Sequence, residues 1–163
     1  MGKKGTEIVA SKIDVNEVIA DLNKAYADEW LAHYQYWLAA HWVSGINADA
    51  ITSRLTAQSA DELLHAEKFA NRIMELGGAP VMDFAKLAEV GGCGYSIPPE
   101  DQGNLKQVIE DVISAERCAI DFYNKMVEKY RDKDYVTFEL FKTVLLDEVG
   151  DEDEWEDLLS QQP

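Results

Sequence analysis

Four glutamates lie at positions where helical segments otherwise carry core residues. They are Glu29, Glu62, Glu116 and Glu148, one in each of four long segments with helical periodicity. Glu62 shows the pattern best, because Leu55 and Phe69 lie seven residues to either side and so fall almost on one line along a helix. Burying a lone carboxylate costs several kcal/mol, and a cluster of carboxylates would take up protons unless cations lie among them. The sequence therefore predicts a metal centre in the core.

A histidine and an aspartate follow two of these glutamates at the spacing of one helical turn. His65 comes three residues after Glu62, and Asp151 comes three residues after Glu148, so each pair lies on one helix face. Carboxylates together with imidazole suit iron, which cycles between Fe(II) and Fe(III), whereas zinc normally takes fewer oxygen ligands. We therefore expect a di-iron centre in which His65 belongs to one position and the other has only carboxylates. The all-carboxylate position is expected to bind metal more weakly.

The spacing leaves the bridging ligands open. Glu62 is expected to bridge the two metal ions together with either Glu116 or Glu148. The remaining ligands are expected to be terminal, with one position taking Glu29 and His65 and the other taking Asp151. Periodicity places residues on helix faces but does not fix which carboxylates meet between the helices.

Two tyrosines repeat in the same register as two of the glutamates. Tyr36 comes seven residues after Glu29, and Tyr123 comes seven residues after Glu116. Each half of the chain is thus predicted to be a helical hairpin with glutamate and tyrosine on its first helix and an acidic cluster on its second. A pseudo-twofold arrangement of the hairpins would let the tyrosines donate hydrogen bonds to the carboxylate ligands.

Four long helices are predicted to carry these residues, which makes the chain all-α. Their expected ranges are 14–43, 48–76, 101–130 and 134–159. Asp14 and Glu17 form a predicted capping box, and the prolines lie outside the long periodic segments. A tight turn joins the first two helices. The segment 77–100, with a short helical turn at 83–89, is long enough to cross the length of a bundle between helices two and three.

Composition restricts the classes of function. The chain has 163 residues, enough for the single domain expected over 1–163, and 47% of them are hydrophobic. Its net charge of -16 argues against nucleic acid, and the lysines of an expected flexible tail, 1–13, do not offset it, so DNA binding is not expected. No segment resembles a membrane span or a signal peptide, which predicts no membrane partner and a cytoplasmic protein.

The chain resembles the ferritin superfamily over nearly its whole length, and within it the Dps-like branch called thioferritins. The resemblance rests on Glu62-Leu63-Leu64-His65, on Glu116-Arg117-Cys118-Ala119-Ile120 and on Cys93 in the crossover segment. It implies a ferritin-like four-helix bundle with a bacterioferritin-type di-iron site that oxidises Fe(II), preferably with hydrogen peroxide. It also implies a homo-oligomeric cage of twelve subunits that stores the ferric mineral and protects against oxidative stress.

Three features place the chain within that superfamily. Cys93 and Cys118 are implied to form a redox-active disulfide beside the metals, although Cys118 also suits an ordinary buried position on a helix. Leu63 stands where haem-binding bacterioferritins have methionine, so no haem is expected. Asp151 stands where the family has a second histidine, which makes the two metal positions unequal.

Two other functions compete with iron storage. Rubrerythrins share the glutamate and tyrosine spacing, so a di-iron peroxidase without storage is the first alternative, although the four-cysteine rubredoxin module is missing. The second alternative is a structural bundle whose inward acids are protonated or bonded to tyrosine. Particle size separates storage from the first alternative, and metal binding separates it from the second.

Overall fold

Four long helices carry the apolar stripes found in the sequence. The computed structural model describes residues 3–162, which contain α-helices, one 3₁₀ turn at Phe84–Lys86 and no strand. The helices are α1 (Lys3–Ala10), α2 (Val15–Trp42), α3 (Ala48–Glu75), α4 (Leu87–Val90), α5 (Leu105–Tyr130) and α6 (Tyr135–Ser160). None of the helices in this part of the chain carries an apolar stretch that could span a bilayer.

The helix ends follow local capping chemistry. Asp14 caps α2 as predicted, since its side chain accepts from the Asn16 amide at 2.9 Å. The predicted capping box is not formed, because the Glu17 carboxylate pairs with Lys129 Nζ at 2.6 Å and only the Glu17 amide bonds to Asp14, at its backbone carbonyl. The third long helix begins at Leu105 and not at 101, which corrects the predicted boundary. Asp101 instead accepts a hydrogen bond from the Gly103 amide in a turn, and Asn104 caps the helix that follows.

The start of the chain differs from the flexible tail predicted over 1–13. Residues 3–10 form α1, and Val9 is buried in the apolar cluster that contains Val18 and Leu22 of α2. A helix of eight residues offers too few turns for its periodicity to stand out in a sequence, so the prediction missed it. Residues 1 and 2 of the predicted tail lie outside the described residues.

Two helical hairpins build the bundle. Helix α2 packs along α3, and α5 packs along α6, while the crossover between the hairpins carries α4 against α2. The short helical turn expected at 83–89 is present as Phe84–Lys86 followed by α4. The all-α bundle with a long crossover between its second and third long helices is therefore confirmed.

The core divides into two apolar clusters along the bundle axis. One contains Phe69, Tyr130 and Phe141, whose rings pack against each other, and the other contains Leu55 and Trp155. The four glutamates lie along the helices between these clusters. Apolar packing on both sides therefore fixes four carboxylates at mid-height in the bundle, where water has little access.

Candidate metal centre

The four glutamates of the sequence pattern converge inside the bundle. Each comes from a different long helix, and their exposed fractions are 3% for Glu29, 2% for Glu62, 1% for Glu116 and 2% for Glu148. Charged side chains are rarely buried to this extent unless they are paired or bind a metal. The arrangement therefore calls for positive charge at its centre.

The carboxylates form two overlapping sets of ligands, each with its four ligand atoms within 4.8 Å of one another. The first set is Glu29, Glu62, His65 and Glu148, and the second is Glu62, Glu116, Glu148 and Asp151. Glu62 and Glu148 belong to both sets, and Glu116 belongs only to the second. If each set held one metal ion, Glu62 and Glu148 would be the candidate bridging carboxylates, and Glu116 would be a candidate terminal ligand of the second ion.

Two carboxylate oxygens show that the residues fit a cation. Glu116 Oε2 and Glu148 Oε1 are buried and lack a hydrogen bond of good geometry within residues 3–162, although Glu148 Oε1 has His65 Nδ1 at 3.2 Å. Buried acceptors without a partner are rare in folded proteins, because no hydrogen bond compensates the free-energy cost of removing them from water. A metal ion bound between the two sets would coordinate such oxygens.

His65 faces the carboxylates with one ring nitrogen and the acidic surface with the other. Its Nδ1 lies 3.2 Å from Glu148 Oε1 and 3.3 Å from Glu62 Oε2, and its Nε2 lies 3.1 Å from Asp147 Oδ2. Burial alone lowers the pKa of His65, but the carboxylates of Glu148, Glu29 and Glu62 outweigh it and raise that pKa well above its usual range. Asp147, which the sequence prediction missed, is placed to orient the ring through Nε2.

The tyrosines bond crosswise between the hairpins. Tyr36 of α2 donates to Glu116 of α5 at 2.5 Å, and Tyr123 of α5 donates to Glu29 of α2. Burial, together with the charge of these carboxylates, raises the pKa of both tyrosines well above the ordinary value. Both phenols therefore remain protonated donors, and they hold the Glu116 and Glu29 side chains in position.

Sequence reasoning missed a chain of polar contacts from α6 to the second ligand set. Trp155 donates to Gln58 Oε1, and Gln58 Nε2 donates to Glu116 at 2.6 Å and to Glu62 at 3.3 Å. Arg54, one turn before Gln58, pairs with Asp151 through Nη2 at 2.5 Å. The available signal was that Arg54 and Gln58 share the α3 stripe of Glu62, at intervals of four residues.

A disulfide from the crossover lies beside the carboxylates. Cys93 is bonded to Cys118 of α5 with 5.6 Å between their Cα atoms, so the pairing implied by the resemblance is present. Cys93 and Gly94 line a small pocket of about 30 Å³ together with the four glutamates. Asp28, a buried residue of α2, accepts hydrogen bonds from the Gly92 and Cys93 amides and holds this segment in place.

Comparison with known proteins agrees with this geometry. The sequence pattern of the ferritin family, described as a ferritin-like domain, matches residues 19–162. The chain belongs to the ferritin family. This match confirms the ferritin-like fold inferred from the sequence. Proteins of this family bind and store iron.

Several relatives of this ferritin-family chain span nearly its full length. A solved Bacteroides fragilis structure, described as a dodecameric thioferritin and bacterioferritin-related protein, is 34% identical and covers 98% of this chain and 94% of its own, with a TM-score of 0.93. The DNA protection during starvation protein of Pyrococcus furiosus is 28% identical over 93% of this chain and 81% of its own. Bacterioferritin of Brucella melitensis is 31% identical over 82% and 77%. The chain is therefore similar both to a DNA protection during starvation protein and to bacterioferritins.

Burial favours the protonated form of three buried carboxyls in this ferritin-family chain, those of Glu29, Glu116 and Glu148. Burial raises the pKa of Glu116 to about 8, although hydrogen bonds with Glu148 and Tyr36 act in the opposite direction and lower that pKa. Burial and then the charge of Glu62 raise the pKa of Glu29 and of Glu148 well above the ordinary value. A metal ion that enters must therefore displace protons.

These raised pKa values predict that the metal-free protein loses stability as the pH rises. Folded Glu116 keeps its proton up to about pH 8, whereas the unfolded chain loses it near the ordinary value of 4.5. The folded state binds more protons in this window, so the free energy of unfolding should fall as the pH rises from about 4.5 to about 8. Urea denaturation of metal-free protein at several pH values measures this slope.

The neutral variant Glu116→Gln is the control for the pH experiment. It carries no titrating group at this position in either state, so its slope over the same pH window should be smaller. Equal slopes in the two proteins, or a wild-type stability that rises with pH, would show that Glu116 does not hold its proton in the folded state.

Proposed function

We propose that the protein is a ferroxidase and iron-storage protein that oxidises Fe(II), preferably with hydrogen peroxide, and keeps the ferric product inside a cage of twelve subunits. The observation that carries the proposal is the pair of overlapping ligand sets that share Glu62 and Glu148. Oxygen-rich ligation with one imidazole suits iron in both oxidation states. The shared carboxylates would keep two substrate ions adjacent.

Two adjacent Fe(II) ions match the electron demand of peroxide. Each Fe(II) gives up one electron, and one hydrogen peroxide molecule takes both electrons and two protons to leave two water molecules. Delivery of both electrons at one site avoids release of the one-electron reduction product, a hydroxyl radical. Protection against oxidative damage would follow from the same reaction.

The two sides of the centre offer separate approaches. The pocket beside Cys93 reaches the glutamates from the crossover side. On the opposite side, an open pocket of about 380 Å³ is lined by His65 and by acidic residues that include Asp61, Asp147 and Asp151. Negative potential raises the local concentration of cations, so we assign Fe(II) entry to the acidic side and oxidant entry to the crossover side.

We further propose that the disulfide is a second route for peroxide. In the dithiol form, Cys93 and Cys118 would give two electrons and two protons to hydrogen peroxide, which forms the disulfide and two water molecules. The position of Cys93 on the wall of the pocket beside the glutamates supports this role.

Storage predicts a large particle that keeps iron soluble. The similar Bacteroides fragilis protein is described as dodecameric, which supports a cage for this chain. Anaerobic Fe(II) loading followed by peroxide should give a soluble ferric product that elutes with a protein particle of about twelve chain masses, each 18.3 kDa. A dimer from which the ferric product precipitates would instead support a peroxidase without storage.

A further inference from the structure

A fixed positive charge, that of Arg54, lies beside the second ligand set and pairs with one of its members. Arg54 Nη2 lies 2.5 Å from Asp151 Oδ1, and both side chains are largely buried, with exposed fractions of 16% and 18%. Asp151 is also one of the four residues whose ligand atoms form the second set. The same carboxylate is therefore shared between a salt bridge and a metal position.

Arg54 differs chemically from His65, the cationic group of the first set. A histidine becomes a metal ligand when it loses its proton, so the group that neutralises the carboxylates can itself bind the metal. A guanidinium has no lone pair to offer and does not deprotonate in proteins. A metal ion at the second position must therefore compete with Arg54 for Asp151, because the guanidinium holds Oδ1 and draws the charge of the carboxylate toward itself, which leaves the other oxygen for the metal.

Arg54 has two other contacts besides Asp151 that can hold its guanidinium. Its Nε lies 2.8 Å from Glu154 Oε2, and the side chain of Glu154 is 65% exposed. Its guanidinium also lies over the ring of Trp155, with 5.8 Å to the centroid. If Arg54 releases Asp151, it keeps a carboxylate partner and an aromatic face, so its charge stays neutralised.

We propose that Arg54 is a positioning residue that competes with the metal for Asp151 and makes the second position a low-affinity, exchangeable one. The second ion then binds after the first and dissociates more readily. Such dissociation would let oxidised iron leave the second position for storage. This inference rests on the proposed function, because it concerns the order in which two metal ions fill the centre.

Titration with Co(II) under anaerobic conditions tests the inference without turnover. Calorimetry and the Co(II) absorption spectrum report the affinity and geometry of each position. In Arg54→Gln the second Co(II) should bind about tenfold more tightly or better, since its competitor for Asp151 is gone, while the first stays unchanged. Arg54→Lys keeps a cation on a more flexible stem and should give an intermediate affinity.

Arg117→Gln provides the matched control. Arg117 also pairs with two carboxylates of α6, Glu152 and Glu156, but on the exposed surface. Its removal changes the net charge by the same amount and should leave both Co(II) affinities close to those of the wild type.

The sign of the change separates the outcomes. If Arg54 only orients Asp151 for the metal, Arg54→Gln will weaken the second position, and this result, like an unchanged affinity, overturns the inference while leaving the metal centre intact. Failure of the wild type and of Arg54→Gln to bind any Co(II) would overturn the proposed function itself.

Discussion

Glu62→Ala is expected to lose both metal positions at once and to lower the rate of Fe(II) oxidation by about a hundredfold or more. The effect should be larger than that of any terminal ligand, because Glu62 is common to both ligand sets. Anaerobic Fe(II) titration measures the binding, and stopped-flow absorbance of Fe(III) measures the rate after peroxide is added.

The stability of the same variant distinguishes a metal ligand from a structural residue. Removing one carboxylate from a buried acidic cluster relieves repulsion, so metal-free Glu62→Ala should unfold at the same temperature as the wild type or higher. It should also lose the thermal stabilisation that Fe(II) gives to the wild type under anaerobic conditions.

Glu67→Ala is the matched control, because Glu67 lies on the exposed face of the same helix. It should oxidise Fe(II) at the wild-type rate. Wild-type oxidation in Glu62→Ala would contradict the proposed ferroxidase, and equal losses in both variants would show a general effect on α3.

Cys118→Ser is expected to lower the free energy of unfolding by about 3 kcal/mol, because the disulfide closes a loop with a sequence separation of 25 residues. The disulfide also ties the crossover to α5, so its loss should loosen the pocket beside the glutamates. Urea denaturation at constant pH measures the change.

Reduction of the wild type provides the control for this prediction. Wild type treated with dithiothreitol should match Cys118→Ser, and adding the reductant to the variant should have no further effect. After removal of the reductant, one equivalent of peroxide should restore the disulfide in the wild type even without iron. A variant as stable as the oxidised wild type, or a dithiol that peroxide leaves unchanged, would refute the structural or the redox role, respectively.

The fold could be predicted because its signals are repeated along whole helices. Each long helix has many turns, so periodicity locates it to within a few residues, and Asp14 and Asp134 mark two starts through their caps. Helix α1 was missed because its eight residues give too few turns for a visible period, and the start of α5 was misplaced because it depends on a few local hydrogen bonds. Asp101 and Asn104 both suit a helix start, and the structure uses the second.

The residues of the candidate site could be predicted from the sequence, but which of them the two metal positions share could not. An acid on an apolar stripe stands out, since burial of charge needs an explanation, and that logic found Glu29, Glu62, Glu116 and Glu148. The bridging role depends on how four helices rotate against each other, which periodicity does not contain. Arg54 and Gln58 gave a weak signal because such side chains on a helix usually extend to water.

The most direct test of two metal ions sharing Glu62 and Glu148 is a crystal structure of the protein saturated with Fe(II) in the absence of oxygen, with iron located by anomalous scattering. We expect two iron peaks per chain about 3.5–4 Å apart, each within bonding distance of both carboxylates. His65 should coordinate only one of them. A single peak at saturation, or two peaks that share neither Glu62 nor Glu148, would contradict the account.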